Sequence, residues 1–118
     1  MGVEHRQFRR VFVGPEFTMS FVMEGQSFAR IGLANISEGG CLALVPGSQS
    51  GGFAIGAALE ELTLHHELLP FHPIEARVAY IFGAGELEMM GVGIQFLSMK
   101  PSLRQSLLAF VEAVSDPL

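Results

Sequence analysis

Tryptophan is absent from this chain, tyrosine occurs once, and cysteine occurs once, as Cys41. A single thiol excludes a disulfide framework and points to a reducing compartment, so a cytoplasmic location is expected. Charge is sparse as well: 16% of the 118 residues are Asp, Glu, Lys or Arg. No apolar run exceeds a handful of residues, so no helical membrane span and no membrane insertion are expected. The opening MGVEHRQFRR carries positive charge but no apolar stretch of signal-peptide type behind it. Only seven residues are basic and the net charge is −5, which argues against DNA or RNA as a partner.

What is present is apolar. Hydrophobic residues make up 49% of the chain, ten of them phenylalanine. That composition excludes disorder as a whole-chain description, and the length suits one domain. Mean hydropathy is +0.41, high for a small domain, and it suggests apolar surface that a second copy could cover as a homodimer. The cations are unevenly placed. Arg6, Arg9 and Arg10 lie in the first ten positions, and four basic residues face eleven acidic ones thereafter. An acidic domain with a local cationic clasp fits a small anionic ligand better than a long polyanion.

Fourteen glycines and six prolines punctuate short runs of Val, Ile, Phe and Leu, the pattern of an all-β domain with turns. Strands are expected over Val11–Met23, Phe28–Ile36, Cys41–Val45, Glu75–Phe82 and Glu88–Leu97. Glu24-Gly25 and Gly83-Ala84-Gly85 read as hairpin turns. Pro15 marks a bulge or an edge. Pro46–Gly56 reads as a flexible loop. Ala57–Leu69 fits a strand by alternation and a helix by propensity. A strand is expected there, because the neighbouring strands need a partner. Pro101 opens a C-terminal helix, with Ser98 as a nearby cap and Leu103, Leu107, Phe110, Val111 and Val114 as one apolar stripe.

Two spacings carry chemistry. Arg6-Gln7-Phe8-Arg9-Arg10 is an R-x-x-x-R directly before the first strand. Asn35-Ile36-Ser37-Glu38-Gly39-Gly40 is an N-x-S-x-x-G at a strand–turn junction. Either pattern alone is weak; by average residue usage the first arises in roughly a third of such chains and the second in about one in twenty. Together they describe a guanine and phosphate site. Arginine binds phosphate oxygens, or the O6/N7 edge of guanine, through a planar fork. Asn35 can accept from guanine N–H groups, Ser37 can donate to phosphate or accept from the base, and Gly40 supplies positive φ or room for close approach.

On these residues the sequence resembles the PilZ domain family, bacterial receptor modules for cyclic di-GMP. Arg77-Val78 and Gly91-Val92-Gly93-Ile94-Gln95-Phe96 extend the likeness over nearly the whole chain. The resemblance implies a single PilZ domain over residues 1–118, built as a six-stranded antiparallel β-barrel. Residues 1–10 would be a flexible ligand-binding arm, 11–97 the barrel and 101–114 a C-terminal α-helix. It implies no catalysis, no cofactor and no metal. Cyclic di-GMP would be held by Arg6, Arg10, Asn35, Ser37 and Gly40, with His5 and Arg9 as secondary candidates. His5 stands where many members have an extra arginine associated with a second, stacked ligand, so one ligand per chain is slightly favoured. Asn35 stands where Asp is also common. The signal would pass to an unidentified downstream protein; the alternative is a ligand-independent adapter in pilus or motility assembly.

Three residues invite other chemistry. His65, His66 and His72 match no standard zinc spacing, and adjacent histidines on a strand point to opposite faces. A metal-dependent hydrolase is therefore the weakest reading. Cys41 is expected in the core.

Overall fold

The computed structural model describes residues 9–49, 51–83 and 89–115. Residues 1–8 of the expected flexible arm, with Arg6 and His5, lie outside the described residues. So does most of the expected turn at Gly83-Ala84-Gly85, of which Gly83 is seen at φ 65°. The strands are β1 (Val11–Phe12), β2 (Thr18–Met23), β3 (Gln26–Ser37), β4 (Gly40–Pro46), β5 (Ala58–His65), β6 (Ile74–Phe82) and β7 (Met89–Ser98). A single helix, α1 (Pro101–Ser115), follows among the described residues. Strands β2 to β7 close in the order β3-β2-β5-β6-β7-β4, with β4 returning to β3. The product is the expected six-stranded antiparallel barrel, with β1 as an additional outer strand on β3.

Alternation within the strands explains the closure. Met19, Phe21 and Met23 of β2 point inward, as do Cys41, Ala43 and Val45 of β4 and Met90, Val92, Ile94 and Phe96 of β7. In β3 and β5 the inward residues skip a beat: Phe28 to Ile31, Leu33 to Ile36, and Leu59 to Leu62. Three-residue steps cannot lie on one face of a regular strand. Each coincides with a shift of register against a neighbouring strand, and the extra residue is absorbed as a bulge. Arg30 (φ 56°) and Glu61 (φ 55°) take up two of these bulges in the left-handed region. Bulges of this kind bend strands and help a sheet curl shut.

Two expectations need correcting. The stretch Val11–Met23 is not one strand. Pro15 has no N–H to give a ladder, and the Phe17 N–H donates to Gly14 O at 3.1 Å, so the chain turns there. The two pieces, β1 and β2, still align on the same edge of β3. Ser98 does not cap the helix either: it ends β7. The first intrahelical bond runs from Arg104 N–H to Lys100 O at 3.0 Å, which makes Lys100 the N-terminal flanking residue. The strand reading of the ambiguous segment holds over Ala58–His65, and the chain leaves the sheet at His66. The loop after β4 opens with a short 3-10 turn at Gly47–Gln49.

Helix α1 buries Leu103, Leu107 and Val111 against the barrel beside β1 and β3. Val114, at the far end of the stripe, is exposed. The Phe110 ring meets Phe17 edge-on at 5.5 Å and His66 at 5.0 Å, and His66 in turn lies 5.0 Å from Phe17. The helix is thus packed on the barrel rather than held free for a partner.

Candidate ligand-binding site

The second motif sits at the β3–β4 hairpin. Ser37 and Gly40 face each other across the ladder, with Glu38-Gly39 as the two-residue loop. The Ser37 side chain is buried, and its hydroxyl works within the turn. It accepts from Gly39 N–H at 3.1 Å and donates to Gly40 O at 3.3 Å. This leaves one lone pair on the oxygen. Gly40 needs to be glycine for a reason other than positive φ, since it is not among the positive-φ residues. A Cβ there would overlap the carbonyl oxygen of Ile94 on β7. The adjacent Phe96 N–H donates to Gly39 O at 2.9 Å, so β7 presses directly on the turn.

The first motif meets the second through β1. Register pairs Val11 with Ile36 and Phe12 with Asn35, which places Arg10 beside the end of β3. There Arg10 Nη1 donates to Asn35 Oδ1 at 2.7 Å, a bond across 25 residues of chain. It uses one of the five guanidinium donors, and Arg10 is exposed. Arg9 is exposed too.

Sequence reasoning alone did not assign a second polar pair that adjoins this one. Gly40 lies opposite Gln95 of β7, and Gln95 lies opposite Arg77 of β6. Arg77 Nε donates to Gln95 Oε1 at 2.9 Å. Across Gly40 from Gln95 stands Ser37, and Asn35, opposite Leu42, lies one outward row further along β3, so the Arg10–Asn35 pair and the Arg77–Gln95 pair flank a strip set diagonally about Gly40. The signal in the sequence was faint: Gln95 is the lone polar residue in Gly91–Leu97, and its partner becomes visible only with strand register.

Below this strip lies Cys41. Burial pushes its thiol up to about 12, while the nearby Arg10 guanidinium acts in the opposite direction and loses. A thiol held neutral in the core is no nucleophile. The histidines have local contacts. His65 Nε2 lies 3.0 Å from the Ser20 hydroxyl, and His66 Nδ1 accepts from Leu68 N–H at 3.1 Å. Among the described residues no three metal-ligating side chains converge, and no helix is long and apolar enough to cross a membrane.

A roomier cavity, about 800 Å³, is elsewhere, between β5 and β6 with Glu60, Glu61, Glu75 and Lys100 in its wall. Three carboxylates against one lysine make it a poor seat for an anion, so size and chemistry disagree, and charge decides for the arginine strip. A smaller cavity of about 230 Å³ reaches the turn itself, between Glu38, Gln95 and Arg104. Glu38 and Arg104 form an ion pair at 3.8 Å that ties the turn to α1.

A small closed barrel that carries guanidinium and amide groups on its outer wall defines a class of binding modules. The match to a family model makes the class specific. The PilZ domain model covers residues 4–113, and the chain belongs to that family. Among curated proteins no sequence matches. Several solved structures share the fold. The Bacillus subtilis inhibitor of motility MotI/DgrA superposes with a TM-score of 0.76 at 20% identity, over 94% of this chain and 51% of that one. The Klebsiella pneumoniae MrkH–cyclic di-GMP complex gives 0.72 at 15% identity, over 92% and 52%. The PilZ domain of Escherichia coli YcgR with cyclic di-GMP gives 0.72 at 14%, over 94% and 92%. This chain thus spans about half the length of MotI and MrkH.

Proposed function

We propose that this domain is a cyclic di-GMP receptor. The observation that carries the reading is the Arg10–Asn35 hydrogen bond, which joins the two motifs into one polar corner. PilZ membership and the nucleotide-bound structures of MrkH and YcgR support it. Arg10, with Arg6 from the preceding segment, grips phosphate oxygens or the guanine O6/N7 edge. Asn35 meets the base from the barrel wall. Ser37 and Gly40 shape the turn beneath it. Arg9 and His5 flank the clasp. Arg77 and Gln95 supply the opposite bank of the strip. No residue here acts as a catalyst. Binding covers a cationic clasp with a dianion, and that change of surface is what a downstream protein reads in the cytoplasm.

A second reading has one observation in its favour. The same Arg10–Asn35 bond also serves as a clasp that pins β1 to β3, as a ligand-independent adapter would need. Titration calorimetry with cyclic di-GMP on the wild type and on Arg10→Ala separates the two. The receptor reading expects micromolar or tighter binding that the substitution weakens by roughly thirtyfold, with the melting temperature little changed. Absence of heat in the wild type, with a clear loss of stability in the variant, would favour the adapter.

A further inference from the structure

The same outer wall has an apolar end, and we propose that it is the interface of a two-fold symmetric homodimer. Outward positions align in rows across four strands. Gly32 lies opposite Leu44, Leu44 opposite Gly91, and Gly91 opposite Phe82. The next rows pair Leu42 with Gly93 and Tyr80, and Pro46 with Met89. The Phe82 ring lies against Gly91, the Tyr80 ring covers Gly93, and the two rings stand 5.1 Å apart. They make a ridge. Beside it runs a groove of about 560 Å³ lined by Phe12, Val13, Leu44, Pro46 and Met89, with Arg30 as the one ionisable group among its lining residues.

This face is large and open. Phe12 is 84% exposed, Phe82 52%, Met89 45% and Tyr80 37%. At about 200 Å² for a large side chain, these four leave on the order of 400 Å² of apolar surface to water. That equals the whole largest patch of an ordinary monomer. It also suits the apolar centre of a standard interface, which takes roughly 800 Å² from each partner.

Three observations make the occupant a second copy of this chain. Ridge and groove lie side by side on one face, so a two-fold axis between them seats each ridge in the partner's groove. The chain carries a net charge of −5, and among the described residues none that lines the ridge or groove is a carboxylate, with Glu16 beside Gly14 at the groove's edge, so like-charged copies can meet here with few opposing acids. Finally, β1 runs antiparallel to β3, so Arg10 and Arg9 lead toward Ser37 and away from the groove. This inference does not rest on nucleotide binding, although Asn35 of the ligand corner shares its row with Phe12 and Leu42.

Sedimentation velocity on the full chain, from low micromolar to several hundred micromolar, tests it. The wild type should sediment as a dimer at the upper concentrations. Phe82→Glu and Met89→Lys should each weaken dimerisation by roughly tenfold or more, as loss of a central anchor does. Their far-UV circular dichroism should be unchanged. Phe12→Ser on the outer strand serves if either variant misfolds. Leu97→Glu, exposed at the opposite end of β7, should leave the dimer intact. A wild type that stays monomeric throughout overturns the proposal. So does a dimer that survives all three substitutions, which would place the contact elsewhere or assign the face to another protein.

Discussion

One barrel wall has two ends with opposite character. At the turn end, β3, β4, β6 and β7 point Asn35, Gly40, Arg77 and Gln95 outward, and Arg10 reaches over from β1. At the other end the same four strands point Gly32, Leu44, Phe82 and Met89 outward. Backbone and pleat are shared, so the difference lies only in which residue occupies each outward position. Polar partners at the turn end are mutually bonded and stay hydrated; the aromatic groups at the far end cannot be satisfied by water. One strand set can thus carry a site for a small anion and a site for protein, because alternation frees every second residue from core duty.

The largest effect expected at the turn end is structural. Gly40→Ala places a methyl group against the Ile94 carbonyl. It should lower unfolding free energy by about 3 kcal/mol, read by urea denaturation, because backbone rather than a flexible side chain must yield. Glycine at the apolar end is more forgiving: Gly32 has open space at its Cβ, and Gly32→Ala should change stability far less. A similar loss at both positions would erase the contrast.

Next comes charge. Arg10→Ala should weaken cyclic di-GMP binding by about 2 kcal/mol, the size of a charge-assisted hydrogen bond, roughly a thirtyfold rise in Kd by calorimetry. The exposed bond to Asn35 should add little to stability, and Phe82→Glu should leave Kd unaltered.

Cys41 gives a pH signature beneath the polar end. Its thiol titrates near 9 when unfolded and is pushed up to about 12 in the fold. A raised value means the unfolded chain loses its proton first. The native state is therefore favoured below pH 9 and loses ground as pH rises toward 12, by up to about 1.4 kcal/mol per pH unit. Cys41→Ala should flatten that slope in alkaline melts. Native protein should resist iodoacetamide at neutral pH, and rapid labelling would contradict the burial.

The smallest effect belongs to the ion pair between the turn and α1. Arg104→Ala should cost no more than about 0.5 kcal/mol, as surface pairs generally do, with the binding isotherm unchanged. A larger loss of affinity would mean that the helix helps hold the turn in its binding shape.

Much of this was legible in linear order. Alternation placed β4, β6 and β7 to within a residue or so, Glu24-Gly25 formed its hairpin turn, and Pro101 opened the helix. The spacing of Arg10, Asn35, Ser37 and Gly40 marked one corner of the candidate site. The break between β1 and β2 was half legible: Pro15 was visible as an interruption, but a shared edge on β3 was not. The Ser37 hydroxyl was read as a ligand group, whereas its two turn bonds depend on where Gly39 and Gly40 fold back.

Residue type and spacing therefore determined the class of fold, the family and the presence of an arginine–asparagine motif pair, because those depend on local periodicity and side-chain chemistry. Tertiary structure alone decided that Arg77 and Gln95 stand across Gly40 from Ser37, that Gly40 is required by β7 rather than by its own φ, and that Phe12, Phe82 and Met89 share one apolar face. Each of those facts is a matter of register between strands far apart in the chain. Register is settled by barrel closure and by bulges at residues such as Arg30 and Glu61, which no single segment encodes.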